Sequence, residues 1–129
     1  MTTHKKLKQD QKIGMLAPTP ITLVKLRDHF SNKYKLTEPQ VEIMVVSSSK
    51  SLEQGLEHLL EVLAGEQSVE RLGAIYHGLK GLFLNMGEPE WAAFTKEIEQ
   101  KMLVGEELDH KRIVGKLQHG VAEVLSYCG

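Results

Sequence analysis

The sequence predicts an all-α protein, an up-down antiparallel four-helix bundle with a short additional N-terminal helix. Three observations carry this. No segment shows the period-two alternation of apolar and polar residues that marks a half-buried strand. Leu, Val and Glu abound while only 5% of residues are aromatic, a balance that favours helices over a β-sandwich. Apolar residues recur at spacings of three and four along segments separated by caps, Gly and Pro. The 129 residues suffice for one domain with one sizeable core.

Residues 1–18 carry four lysines, one aspartate and no periodic apolar face. They read as a mobile basic tail, docked at most through Ile13, Met15 and Leu16, and residues 19–129 form the domain. The first helix is expected from about Pro20 to Lys33, capped by Thr19, with Leu23, Leu26 and Phe30 on one face as a lid. Thr37-Glu38-Pro39-Gln40 reads as a capping box with proline in the first turn. It opens a long helix to about Ala64, with Val41, Met44, Val45, Leu52, Leu56, Leu59, Leu60 and Leu63 inward and Gly65 as its stop. The serine-rich stretch 47–51 lowers helix propensity, yet the apolar pattern keeps its phase across it. A third helix spans roughly Gln67 to Met86 and ends at Gly87. A fourth begins near Pro89, turns Trp91, Phe94, Ile98 and Met102 inward, and is broken by Gly105. The last starts near Asp109, and Val114, Leu117, Val121, Val124 and Cys128 form its seam.

Charge and composition exclude several classes. Sixteen basic residues against seventeen acidic ones leave a formal net charge of −1, so no global positive field draws the chain to nucleic acid. No basic amphipathic stripe suggests a membrane surface, and no apolar run approaches the roughly 20 residues needed to cross one. The lone Cys128 excludes an internal disulfide and a thiolate metal cluster. The polar N-terminus lacks the apolar segment of a secretory signal, so a cytoplasmic location is expected.

The third helix carries the stretch Tyr76-His77-Gly78-Leu79-Lys80-Gly81. At about 100° per residue, Leu72, Ile75, Leu79, Leu82, Phe83 and Met86 fall in one apolar arc, and His77 lies nearly opposite its centre. Glu70, Gly73, Ala74, Lys80, Gly81 and Leu84 share the outer face. The small residues one turn either side, Gly73, Ala74 and Gly81, leave the imidazole bare. Lys80, at i+3, can bring its ammonium to a group attached to the ring. Leu84 places an exposed apolar group two turns away. These features describe a site that receives an anionic group from a docking macromolecule. A neutral imidazole is nucleophilic near neutral pH without a dedicated base, and a cation offsets charge on a transferred phosphoryl group. Flat surroundings with no cleft argue against a small-molecule site.

The pattern His77, Lys80-Gly81, then Met86 and Gly87, with Asn85 also matching, resembles the histidine-containing phosphotransfer (HPt) domains of phosphorelays. The register continues through Trp91, Phe94, Ile98 and Glu99, so the detailed likeness covers residues 77–99. The resemblance implies a four-helix phosphocarrier. His77, through Nε2, takes phosphoryl from a receiver-domain aspartate of a response regulator or hybrid histidine kinase and passes it to another receiver. Lys80 assists electrostatically, and Gly73, Ala74, Gly81 and Leu84 form the docking face. No cofactor is expected in this chain, because the Mg²⁺ of such transfers sits in the receiver, and a monomer is expected. Leu82, Phe83 and Leu84 stand where the family often carries small or polar residues. Of these, Leu84 bears on partner identity, and Glu88-Pro89 bears on how the fourth helix starts.

No nucleotide loop accompanies the histidine, so the chain is expected to have no ATP-dependent kinase activity of its own. A metal-binding bundle is disfavoured, because His4, His29, His58, His110 and His119 lack the inward pairing with Glu or His that such sites use. Those five read as ordinary surface or boundary residues. The remaining alternative is an HPt-like docking or adapter module that binds a receiver or kinase without carrying phosphate. Its mark would be loss of the histidine or lysine, and both are present.

Overall fold

The computed structural model describes residues 16–66 and 68–127. Among them five helices and no strand are found: α1 (Leu23–Tyr34), α2 (Glu38–Ala64), α3 (Val69–Asn85), α4 (Pro89–Leu103) and α5 (His110–Leu125). α3 packs most extensively on α4 and also on α2, while α2 in turn packs on α5 and α1. Much of the expected tail, including Ile13, Met15 and His4, lies outside the described residues, as do Gln67 and Cys128. Leu16 is described and stands free of the core, 85% exposed.

α1 starts later than its sequence suggests. Thr22, not Thr19, is the cap, its Oγ1 accepting from the Lys25 N–H at 3.2 Å. Thr19 and Ile21 are held by the core before the helix begins. The Thr19 carbonyl accepts from the Trp91 Nε1–H at 2.9 Å, and the Ile21 N–H donates to the Gly120 carbonyl at 2.8 Å. Both bonds would be lost if residues 19–21 were helical. Leu26 and Phe30 then bury fully, and Leu23 packs against the core from its edge.

In α2 the Thr37 N–H donates to Gln40 Oε1 at 2.9 Å, as the capping signature requires. The serine stretch does not interrupt the helix, because its inward hydroxyls have acceptors. Ser48 donates to the Met44 carbonyl at 2.9 Å and Ser49 to the Val124 carbonyl of α5 at 3.0 Å. Two expected inward residues, Met44 and Leu60, are exposed, at 36% and 44%. The buried stripe runs through Val41, Val45, Leu52, Leu56, Leu59 and Val62 instead. Leu60 stands about 90° round the helix from the middle of that stripe, and Met44 about 70° to its other side, at the stripe's edge.

α3 is capped by Ser68, whose Oγ accepts from the Arg71 N–H at 3.3 Å. It buries Leu72, Ile75, Tyr76, Leu79 and Phe83, and Met86 follows at its end. Leu82 is only half-buried. Gly87 closes the helix with φ +74°, its N–H donating to the Leu84 carbonyl at 3.1 Å and the Glu88 N–H to the Phe83 carbonyl at 2.9 Å. A Cβ on Gly87 would lie 2.3 Å from His29 Nδ1 of α1, so both backbone and packing demand glycine there. Glu88 precedes α4 without capping it. Its carboxylate is buried and meets Lys25 of α1 at 3.3 Å. Gly105, φ +82°, ends α4 by the same pair of bonds, Gly105 N–H to Met102 and Glu106 N–H to Lys101. In α4, Trp91, Phe94, Ile98 and Met102 are buried as expected.

α5 is capped by Asp109, which accepts from the Arg112 N–H at 3.2 Å. Val114, Leu117, Val121 and Val124 are buried as expected, and Ile113 and Gly120 join them. The Trp91 ring lies directly on Gly120, where an added Cβ would stand 2.2 Å from Cζ2. Beyond α5, the Tyr127 hydroxyl donates to Glu42, which also receives Arg27 Nε at 2.7 Å. This joins the chain end to α2 and α1, and the guanidinium bond, followed by the phenol bond, holds the Glu42 carboxyl below its ordinary range. No helix among the described residues is long and apolar enough to cross a membrane.

Tyr76 is fully buried, and its hydroxyl lies 3.0 Å from His110 Nδ1, with the rings stacked at 20°. Burial pushes the phenol well above its ordinary range and holds the imidazole below its ordinary 6.5, against the opposing pull of Asp109. The phenol keeps its proton and the two groups share one hydrogen bond.

Gly120→Ala should therefore cost about 1–3 kcal/mol of stability by urea unfolding, since the indole has no room to retreat. The folded state resists protonating His110, while the unfolded chain takes that proton near its ordinary value. The unfolded state then binds more protons as pH falls below about 6.5, and stability drops. Above that value the group has no effect. Wild type should lose urea stability relative to His110→Gln on going from about pH 7.5 to pH 5, and parallel curves would exclude this linkage.

Candidate functional site

α3 presents His77 to solvent because the opposite side of the helix is held in the core by Leu72, Ile75, Leu79 and Phe83. Tyr76 is buried as well, although the sequence reading leaves it off the apolar arc. Its bond to His110 fixes the rotation of α3 one residue before the exposed imidazole. The His77 side chain is 64% exposed, and its Nδ1 lies 3.4 Å from Glu99 Oε1 of α4. A carboxylate at that nitrogen favours the tautomer that carries its proton on Nδ1. The lone pair is then on Nε2.

Lys80 lies one turn along the same face, its stem half-buried, and makes no ion pair among the described residues. Residues at i and i+3 are neighbours on a helix surface, so its ammonium is free to reach a group bound at His77. Leu84 is 51% exposed two turns further on.

The small residues around His77 do not share one environment. A Cβ added to Gly78 or Gly81 would meet nothing within 4 Å, so neither glycine is demanded by packing. A mid-helix glycine costs about 1 kcal/mol relative to alanine, so two such residues beside one histidine keep open space at a cost in stability. Gly73 differs: its added Cβ would touch Met102 Cε at 4.0 Å, which places it on the α4 side. Ala74 and Gly81 lie on the other side, towards α2.

That side is not flat. Ala74, Gly78 and Gly81 form one wall of an open groove of about 750 Å³ between α2 and α3, which corrects the expectation that no cleft is present. At its floor Leu79 packs closely on Gly55 of α2, where an added Cβ would stand only 2.9 Å from Leu79 Cδ2. Side chains large enough to fill the gap are absent from the α3 wall.

Two of the histidines read as ordinary surface or boundary residues, His29 and His110, are half-buried and make structural contacts. His110 bonds Tyr76, and His29 packs on Gly87 with Nε2 3.0 Å from the Asn85 carbonyl. These roles depend on contacts across 34 and 56 residues of sequence, and no local spacing announces them. Glu99 stands in the sequence pattern, but its place against His77 Nδ1 emerges only with α4 packed on α3.

Comparison of the chain with protein-family models, with curated proteins and with solved structures finds no match. The site holds an exposed imidazole beside a carboxylate, an ammonium one turn away that makes no ion pair among the described residues, and clear space on one flank.

Gly81→Ala should raise stability by about 0.4–1 kcal/mol in urea unfolding, because the new methyl enters open space and the unfolded chain loses freedom. A destabilised variant would mean that the backbone at Gly81 is under a constraint other than helix geometry.

Proposed function

We propose that this chain is a histidine phosphotransfer protein of a phosphorelay. Its four longer helices act as an up-down antiparallel bundle, with α1 laid across it. The observation that carries the reading is the orientation of His77, exposed on α3 with Nδ1 against Glu99. Its Nε2 is then the nucleophile, which a second protein can reach.

His77 Nε2 attacks the phosphorus of a receiver-domain aspartyl phosphate. The Nε2–P bond forms, the acyl P–O bond breaks, and the aspartate leaves as carboxylate. Nδ1 keeps its proton, so the phosphorylated ring carries a positive charge that the Glu99 carboxylate offsets. Lys80 offsets the negative charge spread over the phosphoryl oxygens. The reverse sequence on a second receiver returns the ring to its starting state, with no proton lost or gained. Mg²⁺ is supplied by the receiver's acidic pocket. The protein acts in the cytoplasm as a monomeric carrier, with receivers of response regulators or hybrid kinases as its partners and without ATP chemistry of its own.

The test mixes the purified chain with receiver domains charged by acetyl phosphate and Mg²⁺. Wild type should gain acid-labile, alkali-stable phosphate, and His77→Gln should gain none while keeping its helicity and melting temperature. Glu99→Gln should retain acceptance at a rate lowered by about tenfold, consistent with loss of one charge interaction in a partly exposed site. Phosphate on His77→Gln equal to wild type would remove the proposal.

A further inference from the structure

The groove between α2 and α3 carries an uneven charge. Its lining includes Arg71 and His58 but no aspartate or glutamate. Arg71 is exposed on the first turn of α3, and its guanidinium makes no ion pair among the described residues. The floor is apolar, from Ile75, Leu79 and Leu82, and the walls near the middle are bare at Gly78 and Gly81. From Arg71 to Asn85 the groove runs about 20 Å along α3, and its α3 wall lies within about 120° of His77 around the helix.

We infer that this groove seats an apolar surface segment of the phosphoryl-donating receiver, and that Arg71 selects receivers whose segment carries a carboxylate at the end that meets it. The inference rests on the phosphotransfer reading and adds to it the residue that decides which receiver is served. Charge complementarity is the argument for this occupant. A guanidinium at the rim of an apolar trough, with no carboxylate partner among the described residues, matches a carboxylate by two parallel hydrogen bonds and repels a cation. A segment without that carboxylate leaves the guanidinium unpaired at a desolvated rim, which discriminates against it. The position is suited to selection rather than chemistry. Arg71 stands six residues before His77, so its charge acts on docking and leaves the imidazole and Glu99 untouched.

The experiment uses the full chain, its Arg71→Glu and Arg71→Ala variants, and a set of isolated receiver domains charged by acetyl phosphate and Mg²⁺. Arg71 is exposed and sits in the first helical turn, where glutamate is favourable, so both variants should fold as wild type does. With the best wild-type donor, Arg71→Glu should raise the half-saturating receiver concentration at least tenfold and leave the saturating rate within twofold. The loss should shrink when ionic strength rises from about 0.05 M to about 0.5 M. One of a series of single Asp→Lys or Glu→Lys changes in the donor should recover most of the lost affinity towards Arg71→Glu. Direct phosphorylation of His77 by potassium phosphoramidate, which needs no docking, should be the same in all three chains. Equal half-saturation for wild type and Arg71→Glu, with wild-type transfer intact, would overturn the selection role and leave the phosphotransfer reading standing. Absence of transfer from every receiver to wild type, with phosphoramidate labelling intact, would overturn both.

Discussion

The seating of the Trp91 indole on the bare backbone of Gly120 is the contact on which the rest of the arrangement depends. It brings α4 against α5 more closely than any side chain at position 120 would allow. The same indole donates to the Thr19 carbonyl, and the Gly120 carbonyl receives the Ile21 N–H. One aromatic residue thus positions α4, α5 and the approach to α1 together. With α4 held in this way, Phe94, Ile98 and Met102 face inward, and Glu99, beside Ile98, faces the outer side of α3. The carboxylate at His77 is a consequence of how α4 is anchored about two turns earlier.

The candidate site is asymmetric around His77. On the α4 side stands an acid within 3.4 Å of the ring, and on the α2 side lies an apolar groove without acids. The exposed imidazole therefore has clear space on one flank only. The Tyr76–His110 bond secures this from below, because it pins the rotation of α3 at the residue next to the imidazole. A shift of one residue in that rotation would turn His77 by about 100° and separate it from Glu99. Order at the exposed site is therefore set by a buried hydroxyl–imidazole pair.

The glycines show where sequence reading reaches its limit. Gly78, Gly81, Gly87, Gly55 and Gly120 look alike in a helical pattern. Gly87 is required by a positive φ and by His29, Gly120 by the Trp91 ring and Gly55 by Leu79, while Gly78 and Gly81 touch nothing. Only Gly87 carries a local signal, its place at the end of an apolar period. Gly55 and Gly120 depend on what another helix brings to within 4 Å. The serine stretch of α2 teaches the same lesson: its low propensity is outweighed because Ser48 and Ser49 find carbonyl acceptors, one of them on α5.

What the sequence determined by itself was local. Helical periodicity, the capping box at Thr37 and Gln40, the stops at Gly87 and Gly105 and the outward side of α3 at His77 all depend on residues within a few turns, and each is present in the structure. The start of α1, the exposure of Met44 and Leu60, the Glu99 contact, the groove beside Gly81 and the roles of His29 and His110 were decided by tertiary packing. The physical reason is range. A helix and its caps are specified by neighbours three or four residues apart, whereas burial, ring partners and clefts are specified by side chains that only the packed fold brings into contact.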